Sequence, residues 1–143
     1  MMRSVASLVV AGLCLIALIF GSIRMGVSLV LTLQELGVYD LAAFREPVNE
    51  IGQFLSAQND QALIPLSPLA YLAIIAIMGL CLVIGSILSW RRSLWGYGAL
   101  SAYLVMHASL FVNFQTINPK IYILIAGIIG LIILVFANQR RPS

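Results

Sequence analysis

The chain has 143 residues, 62% of them hydrophobic and 9% charged, with a net charge of +3. A soluble domain carries about 25% charged and about 45–50% apolar residues, so a water-soluble core of this length is excluded and the chain falls in the membrane class. The basic residues stand mainly at the ends of apolar segments and form no patch, which argues against nucleic acid as a partner.

The first apolar segment covers about 4–36, longer than the roughly 20 residues that a span needs. Arg3 ahead of an apolar run fits the start of a signal peptide. The run outlasts the usual apolar region, however, and no A-x-A site ends it. Leu13 before Cys14 makes a poor lipobox, so an uncleaved first helix is expected. Counting in sevens gives Ser7, Cys14, Gly21, Ser28 and Glu35, with Val10, Ala17, Arg24 and Leu31 between them. A helix gathers this set onto one stripe, since seven residues make nearly two turns. The stripe is small or polar and is expected to face protein. Leu8, Leu15, Leu18, Ile19 and Ile23 lie opposite and suit lipid.

The loop 37–66 is the one substantial polar stretch. Gly37 ends the first helix, Asp40 is placed to cap a short turn, and Pro47 is placed to open a helix. From 47 to 58, Val48, Ile51 and Leu55 share a face with Phe54 beside them, an amphipathic pattern that rests on a membrane or covers the bundle's mouth.

Three more apolar segments follow, at about 68–90, 94–115 and 119–138. The first and last open with Ser67-Pro68 and Asn118-Pro119, an N-cap with proline at the first helical position. The fold expected is an all-α integral membrane four-helix bundle, a single domain, with an outer amphipathic helix between helices one and two. Small-x-x-x-small pairs, Ser22/Gly26, Gly85/Ser89, Gly98/Ala102 and Ala126/Gly130, permit close helix contact.

Arg3, Arg91, Arg92, Arg140 and Arg141 flank alternate ends of the segments, whereas all five acids lie between 35 and 60. The positive-inside bias then puts both termini in the cytoplasm, with Arg45 and Lys120 against the trend. A bacterial inner (plasma) membrane is the expected location. Trp90, Trp95 and Tyr97 mark the inner interface; Tyr71 and Tyr122 mark the outer one.

Arg24 is the sharpest chemical feature, because a charge at bilayer centre costs about 2.5–3.5 kcal/mol on insertion scales. Arg24 either reaches the outer headgroups as an interfacial anchor or, with Ser28, Thr32 and Glu35, lines an outward-facing polar crevice. His107, the one histidine, and Asn113 approach it from the third helix, and Glu35 or Glu50 compensates the charge. No G-x-S-x-G, H-E-x-x-H, phosphate loop or paired intramembrane carboxylate is present, so no enzymatic activity, cofactor or metal site is expected. Cys14 and Cys81 read as small buried residues.

The spacing of the 68–138 segments and the intramembrane His107 loosely resemble the small DoxX-like four-helix membrane proteins. Arg24 lies deeper than the arginine of that pattern, and Gln34-Glu35 stands where a basic residue belongs. No function is carried over from it. The expected role is that of a non-catalytic membrane subunit or homo-oligomer acting through a membrane partner. The alternative is a small-solute or proton transporter or channel component built on the Arg24 crevice.

Overall fold

The computed structural model describes residues 2–116 and 119–140, with side chains from Val5 onward. Among these residues there are five helices and no strand: α1 (Met2–Glu35), α2 (Ala42–Asn59), α3 (Pro68–Trp90), α4 (Leu94–Phe114) and α5 (Ile121–Arg140). Three of them, α1, α3 and α5, are long and apolar enough to cross a membrane. α4 is long enough, but its glycines, tyrosines, serines and histidine dilute its hydropathy. The sequence predicts four spanning helices and one amphipathic helix; the described residues form five helices, of which three are strongly apolar. The Asn118 cap and Arg141 lie outside the described residues.

The helix boundaries follow from local chemistry. α1 ends in a Schellman turn: Gly37, at φ +70°, gives its N–H to Gln34 O, and Val38 gives its N–H to Leu33 O. Ser67 caps α3 by accepting the Ala70 N–H at 3.2 Å, with Pro68 at the first helical position. α2 departs from expectation. It begins at Ala42, so Pro47 lies inside it, and Asp40 is not its cap. Proline at 47 removes only the bond to the Ala43 carbonyl, and Ala43 is exposed, so water serves that carbonyl. Asp40 instead accepts from Arg45 Nε at 2.7 Å and Gln34 Nε2 at 3.0 Å, with Arg45 Nη2 on its other oxygen. This ties the turn between α1 and α2.

The seven-residue stripe of α1 is its inner face. Val10, Cys14, Gly21, Ser28 and Leu31 are buried, whereas Leu8, Leu15, Ile19 and Ile23 are exposed. Glu35 at the stripe's end is exposed. α1 packs most extensively on α3, α3 on α4, and α5 more sparsely on α1 and α4. Gly21 and Gly79 make the α1–α3 crossing. A Cβ at Gly79 would stand 2.7 Å from Met25 N and 2.8 Å from Gly21 O. Gly96 lies against Ser89, and Gly85 against Leu100, where α4 meets α3. Of the expected small-residue pairs, Gly85/Ser89 is used in this packing. Nothing lies within 4 Å of a Cβ built at Gly26, Gly98 or Gly130. The core gathers Val10, Cys14, Met78, Leu82, Leu100, Tyr103 and Leu134.

α2 lies across one end of the bundle on α1 and α3, with Leu55 buried and Asn49, Glu50 and Gln53 exposed. Phe54 packs at 5.6 Å on Phe114 and 6.0 Å on Tyr71, so Tyr71 points into the bundle and does not mark an interface. Tyr97 also turns inward, accepting from Asn138 Nδ2 at 2.7 Å, whereas Trp95 is 82% exposed.

Two outcomes test this packing. Gly79→Val drives a side chain into the α1 backbone and should lower stability by about 1–3 kcal/mol, read as helix loss in mixed-micelle unfolding. Gly26→Ala, which meets nothing, should leave it unchanged. For the α1–α2 turn, hydrogen bonding of the charged carboxylate by Arg45, then Gln34, holds Asp40 below its ordinary value of 3.8. Because the folded value is depressed, this contribution is complete above the ordinary carboxylate range and is lost as pH falls below it. The Gln34 side-chain amide resonance should shift in that acidic range, and Asp40→Asn should abolish the step.

Candidate functional site

Arg24 emerges from α1 one turn beyond the Gly21 crossing, and the close approach of α1 and α3 sets it beside Met78. Its Nη2 lies 3.7 Å from the Met78 sulfur, and its Cζ lies 5.9 Å from the centre of the Tyr103 ring. A guanidinium over an aromatic face gains about 0.5–2 kcal/mol, more as water is removed. The Arg24 Nε is buried with no hydrogen-bond partner, and leaving such a donor unmet costs about 1–3 kcal/mol.

The guanidinium borders a chamber of about 340 Å³ at the α2 end of the bundle. Phe54 of α2, Tyr71 of α3, His107 and Phe111 of α4, and Lys120 before α5 complete most of its wall. No aspartate or glutamate lines it. Lys120 Nζ stands 6.0 Å from the Phe54 ring centre, so a second cation sits at the chamber's rim. The chamber thus combines positive charge with aromatic faces and lacks a carboxylate. Chemically, it is built to receive an anion that also carries apolar surface.

His107 is 4% exposed. Its Nδ1 is 3.2 Å from Tyr103 Oη, one turn earlier on α4, and its ring stacks on Phe111 at 5.5 Å with an 11° interplanar angle. The order Tyr103, His107, Phe111 is the i, i+4 spacing that lines residues up on one helix face. That column carries the contact from Arg24 across to the chamber's far wall.

The structure brings Arg24 and His107 to one chamber, sets Ser28 beside Arg24 on a neighbouring pocket, and leaves Thr32, Glu35, Glu50 and Asn113 off the chamber wall. Ser28 is 1% exposed, and its hydroxyl lies 2.8 Å from Arg24 O and 3.0 Å from Met25 O. Thr32 Oγ1 donates to Ser28 O at 2.7 Å. Both hydroxyls are thus spent on their own helix. Glu35 and Glu50 are exposed and outside the chamber wall, so the tyrosine face and the thioether surround the charge where an acid was expected. Asn113 faces the segment between α2 and α3: its Nδ2 donates to Ile64 O at 3.0 Å and its Oδ1 accepts from Ile64 N at 2.9 Å. Asn59 does the same for Leu66, accepting its N–H and donating to its carbonyl.

Phe54, Tyr71 and Lys120 stand out in the sequence as an amphipathic-face residue, an interface marker and a charge against the trend, not as site residues, and Thr116 does not stand out. Phe54, Tyr71, Thr116 and Lys120 line the chamber, and Thr116 Oγ1 also donates to Gln58 Oε1 of α2 at 3.2 Å. At the other end, Asn138 Nδ2 donates to Ser89 O at 2.9 Å as well as to Tyr97 Oη, joining α5 to α3 and α4. A signal for Asn138 existed, because an asparagine ending an apolar segment either caps it or bonds inward. Among the described residues, no group of three or more His, Cys, Asp or Glu is placed to hold a metal ion. Cys14 and Cys81 are not joined in a disulfide.

No protein-family model, curated protein or solved structure matches this chain. The resemblance in helix layout over 68–138 stays a likeness of spacing.

The Asn113 clasp gives a local test. Asn113→Ala removes both bonds to Ile64, and the Ile64 amide should exchange about tenfold faster, given about 0.5–1.5 kcal/mol per bond. The Leu66 amide, held by Asn59, should keep its rate. Equal acceleration at both would mean that the segment between α2 and α3 melts as one unit.

Proposed function

We propose that this chain is a non-catalytic, four-span integral membrane protein of a plasma membrane, with both ends cytoplasmic. In this reading α2 lies over the outer mouth, and the chamber at Arg24 binds an anionic group arriving from the outer side. α4 makes the fourth span, packed inside the bundle where its polar residues meet α3 and Arg24. The observation that carries the reading is a half-buried Arg24 whose Nε–H is buried and unmet, at a chamber without a carboxylate. The basic flanks at Arg91, Arg92 and Arg140 support the orientation.

A second reading has its own support. Gly98, Ser101 and Ala102 leave a flat exposed strip on α4, the kind of surface on which helices approach closely in lipid. It favours a subunit acting through another membrane protein or a second copy. Co-purification from native membranes separates this role from binding by the lone chain.

Thr116→Cys in a background lacking Cys14 and Cys81 tests the first reading in intact cells. An impermeant anionic thiosulfonate should label it from outside about tenfold faster than its cationic counterpart, because a basic cleft concentrates anions. Arg24→Gln should shrink that preference. Labelling confined to inverted vesicles would overturn the orientation, and equal rates for the two reagents would overturn the anion chamber.

A further inference from the structure

A second cavity adjoins the chamber. It is a cleft of about 340 Å³ between α1, α4 and α5. Phe20 and Ile123 border both spaces, and Tyr103, whose ring faces Arg24, walls the cleft. Along α1 the cleft runs from Phe20 to Leu13, about 10 Å at 1.5 Å per residue, and chamber and cleft together cover about 16 Å from Arg24 to Leu13. That is more than half of a hydrocarbon core about 30 Å thick.

The lining changes character along this path. The chamber offers Arg24, His107 and Lys120. The cleft offers Ile16, Leu104, Leu131 and Leu134, and no charged residue. α5 opens the space with glycines: a Cβ at Gly130 meets nothing within 4 Å, and one at Gly127 meets the Leu104 methyl at 2.7 Å. The sparse packing of α5 on α1 and α4 leaves this room unfilled.

We propose that the chamber and cleft form one site for a single-chain anionic amphiphile, with its charged head at Arg24 and its hydrocarbon chain along α5 past Gly127 and Gly130. This rests on the anion chamber and extends it by naming the class of ligand. Charge complementarity selects the head, because a guanidinium with a buried unmet N–H gains a charge-assisted bond from a carboxylate or phosphate oxygen. The cleft suits the tail, because Ile16, Leu104, Leu131 and Leu134 present it with apolar surface and no charge. One descending cleft accepts one chain. A two-chain phospholipid would leave its second chain outside on α5.

The experiment uses the full chain, purified in detergent, stripped of lipid and examined by native mass spectrometry. The probes are oleate, oleyl alcohol, dioleoylphosphatidylglycerol and inorganic phosphate. Wild type should retain one oleate per chain, with oleyl alcohol and the two-chain lipid each held about tenfold more weakly, a difference of about 1.4 kcal/mol. Arg24→Gln should lose the preference for oleate over the alcohol. Gly130→Leu fills the cleft without meeting backbone and should lose oleate while keeping its helix content, so the outcome does not hang on whether the arginine variant folds. Equal retention of oleate and oleyl alcohol by wild type would overturn the role of the head, and unchanged oleate binding by Gly130→Leu would overturn the cleft. Tighter retention of the phosphatidylglycerol would overturn the single chain. If phosphate binds wild type, and equally Gly130→Leu, while oleate does not bind, the chamber stands and the amphiphile falls. If thiosulfonate labelling shows no anion preference at Thr116→Cys, the chamber itself has failed.

Discussion

Everything at the α2 end of this molecule depends on how closely α1 and α3 approach at Gly21 and Gly79. Lipid offers apolar side chains much the same surroundings as a protein interior, so helices gain association mainly through close contact. A side chain at either glycine would strike the opposite backbone. The crossing brings Met78 and Arg24 within reach of each other and sets α4, which packs on α3, so that Tyr103 faces the guanidinium. Without that contact Arg24 would be a cation at the surface of a long apolar helix, able to reach water or headgroups by extending its side chain.

Placed where it is, the guanidinium meets polarisable neighbours. A tyrosine face and a thioether sulfur stabilise positive charge without neutralising it. A carboxylate in the same position would have closed the site electrostatically. The arrangement leaves positive charge in a space walled by rings, with His107 edge-on to Tyr103 and stacked on Phe111 as an aromatic and hydrogen-bonding spacer. Such a space discriminates by sign of charge first and by shape second.

The seven-residue recurrence on α1 was legible in the sequence, because spacing alone decides which residues share a helix face. Val10, Cys14, Gly21, Ser28 and Leu31 are all buried. The boundaries of α3 followed from Ser67-Pro68 and from the charges at Arg91-Arg92, and the amphipathic face of α2 followed from Ile51, Phe54 and Leu55. Its start did not, since a proline in the second turn costs little where the freed carbonyl faces water. The company of Arg24 was only partly legible. His107 was expected nearby from its depth along its helix, but depth does not say which way a side chain turns. Thus Asn113 clasps Ile64, 49 residues away, and Tyr71 packs on Phe54. Ser28 and Thr32 share the Arg24 stripe, yet their short hydroxyls bond to the preceding turn before they can reach across a gap. The choice among glycines, Gly21 and Gly79 over Gly26 and Gly98, is set by the crossing angle of helices far apart in sequence.

The buried bonds of Asn138 to Ser89 and Tyr97 give α5 a fixed point at one end. A stiff rod pinned there behaves as a lever. Ile123 lies about 22 Å from the pivot at 1.5 Å per residue, so a tilt of about 5° displaces it by about 2 Å. The displacement shrinks to almost nothing at Leu134, one turn from the pin. Small rigid-body motion of α5 therefore widens the Arg24 chamber far more than the core, and the wall between bundle and lipid can part sideways while the packing of α1, α3 and α4 stays intact.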